Sequence, residues 1–165
     1  MRFRDSASFG KRQEFMAIAE MLRRGFDVYL TLVDDQQIDC VLRFDEPGSP
    51  QYVDVQIKAR SGECAKKNAG TFAAMEVRQP RPNFFFVFYS EQARCYWIMP
   101  SLDLVRLARQ NKTGKNKGRY TIMFTNYSRK REEVRPRPRF EEYRDRFDLL
   151  RPTAKKRRSA GTAAR

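Results

Sequence analysis

Two stretches decide how this chain folds: Gln37-Ile38-Asp39-Cys40-Val41-Leu42-Arg43-Phe44 and Tyr52-Val53-Asp54-Val55-Gln56-Ile57-Lys58. In the first, Ile38, Cys40, Leu42 and Phe44 alternate with Asp39, Val41 and Arg43. In the second, Val53, Val55 and Ile57 alternate with Asp54, Gln56 and Lys58. A period of two predicts two strands, each with one apolar face. The turn Asp45-Glu46-Pro47-Gly48-Ser49-Pro50 between them is short enough to make them an antiparallel pair. A register that sets Asp39 opposite Gln56 or Lys58 puts all three on one face, because residues two apart along a strand point the same way.

Working outward, Phe26–Val33 alternates in the same manner, and Asp34-Asp35-Gln36 is a tight turn into the next strand. Before it, Ser6 or Ser8 can cap a helix that runs to about Arg24 and stops at Gly25. Its predicted apolar stripe is Phe15, Ile18, Ala19 and Leu22, with Glu14 about 40° from Ile18 at the rim. Downstream, Ser61-Gly62 and Asn68-Ala69-Gly70 mark loops, Gln79-Pro80-Arg81-Pro82 is extended, and Thr71–Arg78 reads equally as strand or short helix. Phe84–Tyr89, apolar on both sides, predicts a central strand covered on two faces, paired with Ala93–Met99. A helix from Ser101 to about Asn111, a basic loop Thr113–Gly118, a strand Tyr120–Phe124 and a closing helix Phe140–Leu150 follow. In that last helix Phe140, Tyr143, Phe147 and Leu150 share a side. The fold class is α/β, a mixed central β-sheet flanked by helices, with residues 1–150 as one domain and 151–165 as a disordered basic tail.

Composition excludes several chemistries. Among 165 residues there is no histidine, so there is no Ser-His-Asp or Cys-His nucleophile and no His-containing zinc site. Cys40, Cys64 and Cys95 show no C-x-x-C spacing, which fits a reducing compartment. The charged N-terminal stretch carries no apolar signal region, and the longest apolar run, six residues from Phe84 to Tyr89, is far short of a membrane span. The expected location is cytoplasmic, with no membrane contact.

The formal charge is +14, and it is uneven. Arg106 to Arg139 holds twelve basic residues against Glu132 and Glu133, and the tail from Arg151 adds six more with no acid. A basic region joined to a near-neutral one suits a phosphate backbone, whose neutralisation releases counterions. Arg106, Arg109, Lys112, Lys115, Lys117, Arg119, Arg129, Lys130 and Arg131 are the expected nucleic-acid contacts. Lys155–Arg158 reads either as a nuclear import signal or as a DNA-gripping tail. Such contacts position a duplex without reading its bases, and no recognition helix is evident.

The chemistry-bearing residues converge on the paired strands. Glu14, brought by the first helix to the face of Asp39, Gln56 and Lys58, would join Asp39 in offering carboxylate oxygens to a hard divalent cation. Gln56 Oε1 or the Ile57 carbonyl would add a neutral ligand. Lys58 then stands where an ammonium can hold a water and offset charge on a pentavalent phosphate. Asp54, on the Gln56 face, is a substitute acid or an outer strand residue. Glu63 is a loop acid without a role, and Tyr29 is read as packing.

At Gly10-Lys11-Arg12-Gln13-Glu14, Gly25-Phe26-Asp27-Val28, Ile38-Asp39 and Val55-Gln56-Ile57-Lys58 the sequence resembles the PD-(D/E)xK nuclease superfamily. It is most similar to the restriction-endonuclease-like and Holliday-junction-resolvase-like members that carry Q-x-K. The resemblance spans residues 8–58 and, more loosely, 83–127. It implies an αβββ-β core and an Mg²⁺-dependent endonuclease that hydrolyses phosphodiester bonds of double-stranded or branched DNA, with Mn²⁺ able to substitute. Carried over, Glu14, Asp39 and Gln56 would hold the metal and Lys58 would orient the attacking water. Ile38 stands where the motif has proline, and Gln56 where it has an acid. The second change removes a charge worth roughly 8 kcal/mol beside a divalent ion at ~4 Å and an effective dielectric of ~20, before desolvation. A single, weakly held metal that works at millimolar Mg²⁺ is therefore expected. A homodimer fits, because cutting two strands takes two sites. The competing reading is a nuclease-fold accessory that binds nucleic acid without cleaving it; a non-nucleic-acid role would show little salt dependence.

Overall fold

A computed structural model describes residues 3–32 and 37–152. The predicted turn at 34–36 and the basic tail from 153 lie outside the described residues. Helix α1 (Phe3–Arg23) leads into a five-stranded sheet built from β1 (Asp27–Leu30), β2 (Cys40–Phe44), β3 (Gln51–Arg60), β5 (Phe84–Ser90) and β6 (Cys95–Pro100). Its strand order is β1-β2-β3-β5-β6. The first three strands form an antiparallel meander, β5 lies parallel to β3, and β6 returns antiparallel to β5, so the sheet is mixed. The crossover between β3 and β5 contains a 3-10 turn (Lys66–Asn68) and β4 (Thr71–Met75), so the undecided Thr71–Arg78 segment begins as strand. After β6 come α2 (Ser101–Leu107), β7 (Arg109–Gln110), β8 (Tyr120–Met123), β9 (Thr125–Ser128) and β10 (Glu133–Pro136). Strands β4, β8 and β7 make a small separate sheet, and β9 and β10 a hairpin. No described helix is long and apolar enough to cross a membrane.

Strand β5 explains why the sheet has two cores. Phe84, Phe85, Phe86, Val87 and Phe88 are all buried. Phe85 and Val87 join Val53, Val55, Ile57, Cys40 and Leu42 on one face, covered by Ala17, Ile18 and Met21 of α1 and by Phe147 and Leu150. Phe84, Phe86 and Phe88 point the other way, to Trp97, Met99, Leu104 of α2, Phe72 and Ile122 of the small sheet, and Phe124 and Phe140. Phe124 is the hub of that second core. Its ring stacks on Trp97 at 4.7 Å and meets Phe88 at 5.0 Å and Phe140 at 4.9 Å. Each such ring pair adds about 0.5–1.5 kcal/mol to the burial itself.

Helix α1 ends where expected, for a visible reason. Gly25 takes φ +77°, the left-handed conformation that spares a glycine a Cβ clash. Its N–H donates to Leu22 O, and the Phe26 N–H donates to Met21 O, closing the last turn. The predicted apolar stripe is rotated, however. Phe15 and Leu22 are half-exposed, while Ala17, Ile18 and Met21 are buried. At about 100° per residue these three lie within about 60° of Glu14, so Glu14 is at the middle of the sheet-facing arc rather than on its rim.

Three other expectations are corrected. The second helix stops at Leu107 because Ala108 is extended and Arg109–Gln110 pair with Tyr120–Thr121 of β8. The strand Phe26–Val33 is short, pairing with β2 only over Asp27–Leu30. The closing helix is two 3-10 turns, Pro138–Tyr143 and Phe147–Leu150. They are interrupted where Arg144 bridges Trp97 and Asp145, at φ +55°, bonds the Tyr96 backbone in both directions. The four apolar residues read as one helical side therefore divide between the two cores, Phe140 and Tyr143 in one, Phe147 and Leu150 in the other.

Gly70 locks the crossover to β9. Its N–H donates to Thr125 Oγ1 at 3.0 Å, and its carbonyl accepts from Phe124 N–H at 2.8 Å. A Cβ here would lie 2.6 Å from Thr125 Cγ2 and 3.0 Å from the Thr125 backbone nitrogen. Gly70→Ala is expected to destabilise the protein by about 1–3 kcal/mol. Thermal melting should record the loss, and Thr125→Ser in the same chain, by removing Cγ2, should restore part of it.

Candidate active site

The β2–β3 ladder ends with Cys40 paired to Val55, and Asp39 stands just outside that end of β2. Strand β3 runs on to Arg60 with β5 along one edge, so on the other edge residues 56–60 have no strand beside them. Asp39 occupies the start of that gap. Its N–H donates to Val55 O at 2.9 Å, and its carboxylate Oδ2 accepts the Ile57 N–H at 2.6 Å. The carboxylate thus takes the place of the next carbonyl in the ladder. Because N–H and C=O of one strand residue point to the same edge, the Ile57 carbonyl also faces the gap where Asp39 sits.

Gln56 and Lys58 lie on the aromatic-core side of β3, opposite Phe86 and Phe88 of β5. Gln56 is 2% exposed, and its Oε1 is buried without a hydrogen-bond partner. Lys58 is half-buried and makes no hydrogen bond or ion pair among the described residues. Asp54, two residues earlier on that face, is paired with Arg81 at 2.5 Å, so a guanidinium already balances its charge. Arg60, two residues later, shares the same face by alternation; the spacing that marks Gln56 and Lys58 extends to it, although the Q-x-K motif stops short.

Glu14 arrives differently from the expectation. Helix α1 covers the Val53, Val55 and Ile57 side, opposite the face of Gln56 and Lys58, because both faces of β3 are packed and the helix takes the aliphatic one. Glu14 therefore approaches the end of β2 from the helix side. Its carboxylate holds Lys11 Nζ at 2.6 Å. Glu14 and Asp39 both act on Cys40: burial first, then the charges of Asp39 and Glu14, push its thiol up to about 12. The thiol stays protonated at neutral pH and offers no soft ligand or nucleophile. The turn that carries Glu14 is tied to the end of β3 by Glu91, which accepts from Gln13 Nε2 at 3.2 Å and from the Gly62 N–H at 2.7 Å.

Among the described residues no three His, Cys, Asp or Glu side chains gather as a metal-binding group. A cation here would rest on two carboxylates and on neutral oxygens. The Gln56 amide oxygen, dehydrated and unbonded, suits that role, as does the Ile57 carbonyl beside Asp39.

The nine basic residues expected to contact nucleic acid hang from the layer on the Gln56–Lys58 side. Arg106 is on α2, where it pairs with Asp103 at 2.7 Å. Arg109, Lys112, Lys115, Lys117 and Arg119 are exposed on β7 and the following loop, closed by Asn111–Arg119 and Gly118–Asn111 backbone bonds. Residues 109–116 of this loop bound a cleft of about 590 Å³. Arg129, Lys130 and Arg131 are exposed at the β9–β10 turn, against which Lys66 is tied through Glu132 at 3.2 Å.

No protein-family model and no curated protein matches this chain. Among solved structures, that of a bacterial homing endonuclease, I-Ssp6803I, is similar over 86% of this chain and 89% of its own, with a TM-score of 0.56 and 21% identity. The likeness is one of fold: a mixed sheet between helical and irregular layers, as in a nuclease.

An unpaired buried acceptor costs about 1–3 kcal/mol. Gln56→Met, which keeps the volume and removes the orphaned oxygen, is expected to raise the unfolding free energy by about 1 kcal/mol. Chemical denaturation should detect the gain.

Proposed function

We propose that the protein is a metal-dependent endonuclease that hydrolyses DNA phosphodiester bonds, double-stranded or branched, at the gap beyond Asp39. The buried, unbonded Oε1 of Gln56, the residue before the Ile57 N–H that the Asp39 carboxylate accepts, carries this reading. A fold has little reason to dehydrate an amide oxygen and leave it unpaired unless a ligand completes it. Asp39, Gln56 and Glu14, with the Ile57 carbonyl, would hold Mg²⁺ or Mn²⁺, which when bound supplies charge to polarise the phosphate and to acidify a water.

The chain's own groups do the rest. Lys58, with no partner among the described residues, is available to hold the attacking water in line and to offset negative charge developing on phosphorus. Asp39, fixed by Ile57 N–H, has its carboxylate held in place before substrate arrives. The basic β7–β8 loop and the β9–β10 turn, on the Lys58 side of the sheet, grip the backbone of a duplex. A second copy of the chain supplies the second cut.

Lys58→Ala is expected to lower cleavage of plasmid DNA by about 10²–10³-fold, with duplex affinity in EDTA little changed. Equal cleavage by variant and wild type, or no cleavage by wild type in Mg²⁺ or Mn²⁺, would leave a binding protein on a nuclease scaffold. Gln56→Glu adds the missing charge, so half-saturating Mg²⁺ is expected to fall from the millimolar range by about tenfold or more, since ~1.4 kcal/mol suffices for each decade. Titrating cleavage rate against metal measures the shift.

A further inference from the structure

Strand β8 outruns its neighbour β7. Arg109 and Gln110 pair with Thr121 and Tyr120, whereas Ile122 and Met123 run on beside β4 alone. The chain before Arg109 belongs to α2 and its extended Ala108, so no strand covers β8 on that side there. A cleft of about 310 Å³ lies at this place, with Leu107 and Met123 in its apolar lining. Three arginines from two separate segments line it as well: Arg109 of β7, and Arg137 and Arg139 where the chain passes from β10 into the next 3-10 turn. Among the described residues no acidic side chain lines it.

Two of the three arginines are held in place by groups that leave their charge intact. Arg137 Nε donates to the Thr125 carbonyl at 3.1 Å, and its backbone N–H donates to Phe124 O at 2.8 Å. Arg139 Nη2 donates to the Leu107 carbonyl at 3.2 Å, and its guanidinium carbon lies 4.3 Å from the centre of the Phe140 ring. Both nitrogens Nη1 and Nη2 of Arg137 make no hydrogen bond among the described residues and are not buried. Arg139 and Arg109 are exposed.

We infer that this cleft takes a backbone phosphate of the DNA, at a contact separate from the cutting site, held by Arg137 and Arg139 together with Arg109. A guanidinium offers phosphate oxygens a planar fork of donors, and one already fixed loses little freedom on binding. Three positive charges around a cleft with no acid among them favour an anion. The cleft begins at Arg109, where the basic β7–β8 loop also begins, so it continues the surface on the Lys58 side of the sheet. The choice of DNA as the source of the phosphate rests on the nuclease reading, from which the test is separable.

Binding of a fluorescein-labelled, mixed-sequence duplex by the full chain, followed in EDTA across a salt series, reads the number of phosphates neutralised. Arg137→Gln combined with Arg139→Gln is expected to reduce the slope of log affinity against log salt by about 0.9, one contact. Met123→Glu, which brings a carboxylate to the cleft and leaves both arginines their carbonyl bonds, is expected to give the same loss, and it decides the matter if the arginine variant does not fold. Arg12→Gln combined with Arg23→Gln removes two charges from the exposed part of α1, across the sheet, and is expected to keep the wild-type slope. A wild-type slope in the folded cleft variants, or an equal loss in the α1 variant, overturns the phosphate site. A wild-type protein that binds duplex but cuts none in Mg²⁺ or Mn²⁺ overturns the nuclease reading while the slopes still decide the cleft; one that binds no duplex overturns both.

Discussion

The bond from the Ile57 N–H to the Asp39 carboxylate is where sheet and site meet. A strand that ends beside a longer neighbour leaves that neighbour's backbone groups without a ladder, and those groups must be paired or wetted. Here a side chain pairs the first of them, at 2.6 Å. The substitution has a chemical consequence. It brings a carboxylate, rather than a neutral carbonyl, against the backbone of Gln56-Ile57, and it leaves the Ile57 carbonyl facing the same gap. Fold and function therefore share one constraint, and loss of Asp39 would unpair the strand as well as remove an acid.

Around that point the sheet separates charge by face. The α1 side is aliphatic and carries Glu14 in its sheet-facing arc. The other side carries Lys58 and Arg60 on β3 and, from the layer above it, the basic loops. An anion approaching from the basic side meets the cations first and the carboxylates only at the gap. Arg81 strengthens this asymmetry, because by pairing with Asp54 it removes the one other acid on that face of β3.

Much of this was legible in the sequence, and what was not has physical causes. Alternation over 38–44 and 52–58 narrows the register to two choices, Asp39 level with Gln56 or with Lys58, because a one-residue slip would turn every apolar side chain outward; the observed Cys40–Val55 pair belongs to the first. The unbroken apolar run of β5 announces a strand with two cores, and Gly25 announces the end of α1. The face of α1 was hidden because the helix carries two apolar arcs, one through Phe15, Ala19 and Leu22 and one through Ala17, Ile18 and Met21, and only packing chooses between them. The closing segment has an apolar spacing compatible with a helix, yet its residues serve two cores on opposite faces of the sheet. A continuous helix could not deliver Tyr143 to one and Phe147 to the other, and the break at Arg144–Arg146 does.

The departure at Gln56 is best understood together with its burial. A glutamate at 2% exposure would have to shed its hydration, a penalty of several kcal/mol per ion that a cation must offset. An amide sheds less and tolerates an empty site better, at the expense of weaker attraction when a cation arrives. Two carboxylates, Asp39 and Glu14, already act on Cys40 at this end of β2. A glutamate at position 56 would add a third negative charge there. In the proposed site the glutamine would thus ease the fold without metal and weaken metal binding through one and the same missing charge. In the proposed reaction the lysine two residues on would gain as well, since with no third acid beside it there is one fewer carboxylate to draw its ammonium from a phosphate.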